Sequence, residues 1–395
     1  MDIDRLLEFV QKHRDEDPTK LLLQKDRYPD VDIAMAAQQI EGKRQASTKW
    51  PTLAACNQII YPPKLNREQS SSEATAKHKL SVVTSMTHPI ATIADLTGGM
   101  GIDTLFLAQT GATTDYVEQD PALCNIMEHN RQVLGKKNIT CHCCDSMEWL
   151  RNCGKHFSLI YIDPARRDRN GRKVAAFEEC SPDILTFREL LAKHCDTLMV
   201  KASPMIDIDL AASQLGNVCD IHVIAVRNEC KEVLFICDGS NKMPTIHCTD
   251  IRHDGSVNTL QFTHEEESLT QATYCDTVGK YLYEPNAAIM KGGAFKSICL
   301  KWGLAKLSRN THLYTSSELH KDFPGRIFVV ERTIALNKKS LYAAIPEKRA
   351  HVTVRNYPVD AATLQKQTGL VEGGDKHVIA CTVGTKKTAL LCSPA

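Results

Sequence analysis

The chain lacks a charge excess of either sign: 48 Lys and Arg stand against 47 Asp and Glu in 395 residues. No global basic field therefore marks a nucleic-acid partner, and such binding would have to come from local patches. Long apolar runs are missing too. No stretch approaches the ~18 uncharged apolar residues of a membrane-spanning helix. The first residues, MDIDRLLEFVQKHRDEDP, include acids and no apolar h-region, so they do not read as a signal peptide. Paired CxxC turns with His partners are also wanting. The densest cysteine group, Cys141, Cys143 and Cys144 in NITCHCCDS, lies in a run that alternates like a strand. That alternation sends its thiols to opposite faces, which argues for packing and against a metal. The 16 Cys are scattered, many of them in apolar runs. They read as reduced core residues of a cytoplasmic protein. There is no internal repeat, and no low-complexity tract beyond Ser70–Ser72.

What is present is ordinary in bulk, with 43% hydrophobic and 24% charged residues. The length exceeds one compact core and suggests roughly two to four domains. Residues 1–90 read as helical, with LLEFV, PTKLLLQ and DIAMAAQQIEGKRQA at helical spacing and Pro18 and Pro29 as breaks. A further helix there, capped by Asn66 or a nearby Ser, presents Lys77, His78 and Lys79. Over 91–240 the pattern becomes short apolar runs: TIADL, TDYVEQ, NITCHC, SLIYID, TLMVKA, HVIAVR and EVLFICD. Helical stretches beginning near Asp103, Pro121, Ser146 and Pro182 separate the first five. Such alternation predicts an α/β fold with a parallel sheet covered on both faces. The last two runs are close enough to form an antiparallel pair at one sheet edge. Residues 241–325 open on a hairpin around Asp254-Gly255, and YLYEPNAAIMKGGAFKSICLKWG follows as strand, turn and helix. Residues 326–395 alternate as a small α+β module.

The stretch IADLTGGMGID raises the question of its ligand. Glycines at 98, 99 and 101 let the backbone approach a ligand closely. No Lys follows, so a triphosphate loop of the GxxxxGK[ST] type is excluded. A dinucleotide fingerprint from Gly99 meets Thr104 where its third glycine belongs. Asp95 ends the first strand, poorly placed for a pyrophosphate but suited to a cationic amino-acid group. Glu118 ends the second strand, where a carboxylate can accept both hydroxyls of a ribose. Asp145 follows the third, where an acid can accept from an adenine amine. Each of these acids has a plain alternative as a cap on the next helix.

The order DLTGGMGID, VEQD, CDSM, YIDPAR resembles the class I S-adenosylmethionine-dependent methyltransferases. That resemblance implies a Rossmann-like seven-stranded domain. It also implies S-adenosylmethionine as cofactor, held by Asp95, Thr97, Gly98, Gly99, Gly101, Asp103, Glu118 and Asp145, with no metal. Asp163-Pro164-Ala165-Arg166 is similar to the [D/N/S]-P-P-[aromatic] motif of enzymes that methylate exocyclic base amines. In that family the Asp side chain and the Pro carbonyl accept the amine's hydrogens and aim its lone pair. Asp163, Pro164 and Arg166 are the catalytic candidates on this basis. Ala165 and Arg166 depart from the motif, since an arginine plane stands where the aromatic stacks. Guanine N2 is then as suitable a target as adenine. Cytosolic RNA, tRNA or rRNA, is the implied partner, with no membrane. The DPxR form also occurs in uracil C5-methyltransferases. Those need a nucleophilic cysteine, and VKASP has none, while Cys180 and Cys195 read as helical. ARRDRNGRK places Arg166, Arg167, Arg169, Arg172 and Lys173 in one loop, a phosphate grip or a solvated surface. The C-terminal module resembles the THUMP-like domain of a bacterial methyltransferase group, and YLYEPNAAIMKGGAF resembles its ferredoxin-like insert. Two other readings stay open: a nicotinamide-dependent oxidoreductase, and a non-catalytic RNA-binding protein on the same fold.

Overall fold

The computed structural model describes residues 3–166, 177, 180–240 and 242–395. These fall into two compact units, one of Met1–Cys219 with Val233–Lys242, the other of Asp220–Glu232 with Met243–Ala395.

The first unit opens with helices, among them Ile3–Lys12, Pro18–Leu22, Ile33–Lys49, Lys64–Gln69 and Glu73–Thr84. Side-chain caps fix three of their starts: Asp17 accepts from Thr19 N, Asp32 from Met35 N and Ser72 from Thr75 N. Leu6, Val10, Leu21, Ile33, Ala36 and Ile40 form one apolar cluster. Trp50, Leu53, Tyr61 and Ala76 instead share a core with Ile102, Leu105 and Phe106, the helix after the glycine turn. The N-terminal segment thereby packs onto the helix that follows the glycine turn. Lys79 differs from expectation: it is not presented to solvent but is fully buried.

Strands β1 (Thr92–Asp95), β2 (Thr113–Glu118), β3 (Ile139–Cys143) and β4 (Phe157–Ile162) follow. Two short strands, β5 (Ala165–Arg166) and β6 (Cys180–Ser181), pair antiparallel, and β7 (Cys195–Ala202) comes next. Parallel pairing gives the order β3-β2-β1-β4-β7. The central strands are buried almost throughout, as two covered faces require. Helices begin at Ile102, Pro121 and Ser146 as the spacing predicts. The next begins at Arg188, past Pro182, because Asp183 draws the N–H groups of Leu185 and Thr186 into a turn.

The hairpin of β8 (Val218–Val226) and β9 (Glu229–Cys237) has residues in both units. It turns at Arg227 and Asn228, both at positive φ. In the first unit β9 lies antiparallel against β7, so with β8 the strands number the seven expected. The pair is not a free edge. In the second unit β8 continues, parallel, to β10 (Thr245–Ile251), which forms the predicted hairpin with β11 (Val257–Thr263).

The rest of the second unit is a seven-stranded sheet. Its strands are β12 (Tyr281–Pro285), β13 (Ala305–Ser308), β14 (Thr311–Ser316), β15 (Gly325–Thr333), β16 (His351–Arg355), β17 (His377–Val383) and β18 (Lys386–Pro394). They run in the order β13-β14-β12-β15-β18-β17-β16. The β13–β14 hairpin has little sequence signal. Lys306 is buried in it, which breaks the polar–apolar alternation that would announce a strand.

Candidate active site

Parallel strands deliver their carboxyl ends to one edge, and in such sheets ligands bind there. Three backbone links and one to a side-chain hydroxyl draw the ends of β1 to β4 together. Leu96 N donates to Tyr161 O at 3.0 Å, Gly98 N to Val117 O at 3.0 Å and Cys144 N to Glu118 O at 3.0 Å. Asp163 N donates to Thr97 Oγ1 at 2.6 Å. Thr97, Gly98, Gly99, Glu118, Asp145 and Asp163 therefore stand around one edge.

The glycines have separate reasons. A Cβ on Gly98 would lie 2.2 Å from the Tyr116 ring. That ring is buried, and its hydroxyl donates to Gly99 O at 2.7 Å. Gly98→Ala is expected to cost about 1–3 kcal/mol, the usual penalty of overpacking. Thermal unfolding checks this; an unchanged melting temperature would contradict the role of the close contact. Gly99 has φ +53°, and among the described residues a Cβ there would meet only Thr97 O, at 3.8 Å. The space beside its Cα is thus open, while its N–H and carbonyl are engaged by Glu118 and Tyr116. Gly101 N-caps the next helix at φ +79°.

Glu118 is anchored by three backbone donors. Gly99 N reaches one oxygen at 2.8 Å, while Gln119 N and Asp120 N reach the other at 2.8 and 2.9 Å. A carboxylate has about four acceptor sites, so capacity remains on the first oxygen for about one more donor, such as a hydroxyl. Asp145 is exposed and caps Ser146–Asn152 through one oxygen, at 2.8 Å from Glu148 N. Its capping role is real, and no hydrogen bond engages the second oxygen among the described residues.

Two further expected cofactor ligands, Asp95 and Asp103, are buried. Asp95 is 1% exposed. Its oxygens accept from Thr97 N at 3.1 Å and Thr104 Oγ1 at 2.5 Å. These bonds brace the turn. Burial pushes the Asp95 carboxyl up to about 7, against the pull of those hydrogen bonds. The sign of the linkage follows. Below the ordinary value of 3.8 the group is protonated in folded and unfolded chains alike; from there to about 7 only the folded chain holds the proton. This contribution to stability is complete at low pH and is lost as pH rises through that window. Asp95→Asn should flatten the stability–pH profile between pH 4 and 7 relative to the parent. Urea midpoints across the range measure this, and parallel profiles would disprove it.

Asp103 is likewise buried. It accepts from Ser71 Oγ at 2.7 Å, Tyr161 Oη at 2.8 Å and Lys79 Nζ at 3.0 Å. Burial alone would raise its pKa, but the Lys79 and Lys201 charges, with Ser71 and Tyr161, hold it below the ordinary value. It ties the helix Glu73–Thr84 to the helix that follows the glycine turn.

Asp163 is half-buried, and Lys201 Nζ lies 2.5 Å from its Oδ2. The same ammonium is 3.3 Å from Ser71 Oγ. Lys201 was not singled out in the sequence, yet a lysine inside the apolar run TLMVKA was a signal for it. Pro164 is buried behind Asp163. Arg166 contributes backbone to β5, but its side chain lies outside the described residues, as do Arg167, Arg169, Arg172 and Lys173. Cys180 and Cys195 lie in strands β6 and β7, not in helices. Burial pushes Cys195 up to about 12, which makes it no nucleophile near neutral pH.

Family models match the C-terminal part of the chain: a ferredoxin-like domain at 281–324 and a THUMP domain-like module at 325–394. No curated protein matches the chain. A crystal structure from Porphyromonas gingivalis, provisionally named a methyltransferase, is 31% identical. The alignment covers 100% of this chain and 98% of that one, with a TM-score of 0.88. A SAM-dependent methyltransferase of Agrobacterium tumefaciens is 15% identical over 47% of this chain and 59% of its own, at a TM-score of 0.31. The full-length likeness, the family-model matches and the strand order lead to one assignment. The chain belongs to the class I S-adenosylmethionine-dependent methyltransferases that carry ferredoxin-like and THUMP-like domains at the C-terminus.

Proposed function

We propose that this protein transfers the methyl group of S-adenosylmethionine to an exocyclic base amine in RNA. The observation that carries the reading is the junction at the strand ends. There Gly99, open beside its Cα and bonded to Glu118, adjoins Asp163, through Thr97. The open face at Gly99 fits a bulky ligand lying against the turn, and Glu118 and Asp145 supply acceptors in the order ribose, then adenine. When bound, the cofactor supplies an electrophilic methyl on a sulfonium.

The chain's own residues do the rest. A base amine is a poor nucleophile because its lone pair is conjugated. One oxygen of Asp163 is held by Lys201, which fixes the carboxylate plane and leaves Oδ1 to accept an amine hydrogen. The Pro164 carbonyl accepts the other. Both hydrogen bonds strengthen as positive charge develops on nitrogen, so they favour the transition state over the ground state. The RNA acceptor rests on the DPAR motif and on the THUMP-like module.

Calorimetry with S-adenosylhomocysteine tests the cofactor. Binding in the parent and a loss of about 10-fold or more in Glu118→Ala, the cost of removing a charged hydrogen-bond partner, is expected. Binding of NADH with none of S-adenosylhomocysteine would reject the reading in favour of an oxidoreductase. Mass spectrometry of modified nucleosides from RNA of cells with and without the gene tests the acceptor.

A further inference from the structure

The second unit contains a cavity of about 800 Å³ that no part of the proposed methyl transfer uses. Small-ligand sites span about 300–1,000 Å³. Its walls include Tyr274, Phe295, Lys296, Lys306, Arg309 and His312. The Phe295 and His312 rings lie with centroids 3.7 Å apart and planes tilted by 31°. The Lys306 ammonium lies 5.5 Å from the Phe295 ring centre. Tyr274 is 52% exposed, an aromatic face in search of cover.

The polar groups are only partly spent. Burial, and after it the Lys306 charge, pushes His312 down to about 4, so its imidazole is neutral at pH 7. Its Nδ1 is buried without a hydrogen-bond partner among the described residues. An orphaned polar atom at a cavity wall calls for one. Glu267, the nearest acid, is committed: it accepts from Phe295 N, Lys296 N, Ser297 N and Ser297 Oγ at 2.6–3.0 Å. Asp276 is the other carboxylate in the wall. Lys306 donates to Arg309 O at 2.7 Å and Lys296 to Ser268 O at 2.8 Å. Each ammonium keeps further N–H groups. Arg309 is exposed, and no hydrogen bond or ion pair engages its guanidinium among the described residues.

These features select a ligand class. A purely apolar ligand would strip water from three cations without replacing it. A lone phosphate would leave the aromatic walls unused. A planar group joined to an anion satisfies both. We propose that this cavity binds a nucleoside monophosphate unit. The base lies against Tyr274 and Phe295 with His312 Nδ1 at its edge, and the phosphate meets Arg309 and the lysines. The unit comes either from a single-stranded RNA or from a free nucleotide.

The test is calorimetric titration of the full chain with uridine monophosphate, inorganic phosphate, and an oligouridylate of about ten nucleotides, within the span of single-strand sites. Uridine keeps the reading apart from any adenosine site in the first unit, so the outcome is independent of methyl transfer. Arg309→Glu and Tyr274→Ala change exposed side chains and should fold normally, which melting curves verify. Uridine monophosphate should bind, phosphate alone more weakly. Each variant should weaken the nucleotide by about 10-fold, the loss of one base stack or one phosphate contact. Tighter binding of the oligonucleotide than of the mononucleotide identifies an RNA strand as the source; equal affinity identifies a free nucleotide. Failure of both to bind at millimolar concentration, or binding unchanged in both variants, overturns the proposal.

Discussion

An Asp163→Asn variant is expected to lose about 10²–10³-fold in kcat, the scale of removing one preorganised hydrogen-bond partner from a transition state, while still binding S-adenosylhomocysteine. The reason is the direction of the amide. Lys201 lies 2.5 Å from Asp163 Oδ2 and donates to whatever oxygen stands there. In the variant the amide oxygen turns to Lys201. The amide NH₂ then faces the incoming amine, and a donor meets a donor. The acceptor loses its aim and the developing charge loses its counter-charge. Fold and cofactor site should change little, because Thr97 Oγ1 binds the backbone N–H of Asp163 and not its side chain. Single-turnover methyl transfer to bulk RNA from cells lacking the gene reads the rate. Methylation that persists at the parental rate in Asp163→Asn would remove Asp163 from the reaction.

The second large effect is on stability. Lys79→Met should destabilise the first unit by about 3–5 kcal/mol, the usual result of breaking one side of a buried ion pair. That corresponds to a fall on the order of 10 °C in Tm. Lys79 is fully buried and 3.0 Å from Asp103. Without its ammonium the buried Asp103 carboxylate keeps, among the described residues, the hydroxyls of Ser71 and Tyr161 and the Lys201 charge. The double variant Lys79→Met/Asp103→Asn should recover part of the loss, since no charge is then left unpaired. Calorimetric melting of the two variants decides it. A single variant within about 2 °C of the parent would show that the pair carries little stability.

Both predictions come from one feature that the sequence did not announce. Ser71 contacts Asp103 and both lysines. The segment EQSSSEATAKHK thereby reaches Lys201, which holds Asp163 at the end of β4. In the sequence this segment reads as a capped helix with three basic residues at its surface. The cap is there, at Ser72. Periodicity locates a helix but does not say which face its partner will cover, and here the covered face holds Lys79. The same gap explains Asp95 and Asp103. An acid at a strand end is visible in the sequence. Whether it faces a ligand or is enclosed depends on Thr104 and on a helix more than twenty residues upstream. The β13–β14 hairpin was missed for a related reason, since Lys306 is buried where alternation demands an apolar residue.

The sequence by itself determined the alternation of strands and helices, the glycine turn, and the succession of Glu118, Asp145 and Asp163 at strand ends. These follow from local rules: backbone hydrogen bonding with period 2 or 3.6, side-chain caps, and the freedom of glycine at positive φ. Only the tertiary structure decided which acids are braces and which stand open, and that Lys201 holds Asp163. The cause is physical. Burial and charge pairing are settled between residues far apart in the chain, and a side chain's neighbours in the sequence carry almost no information about them.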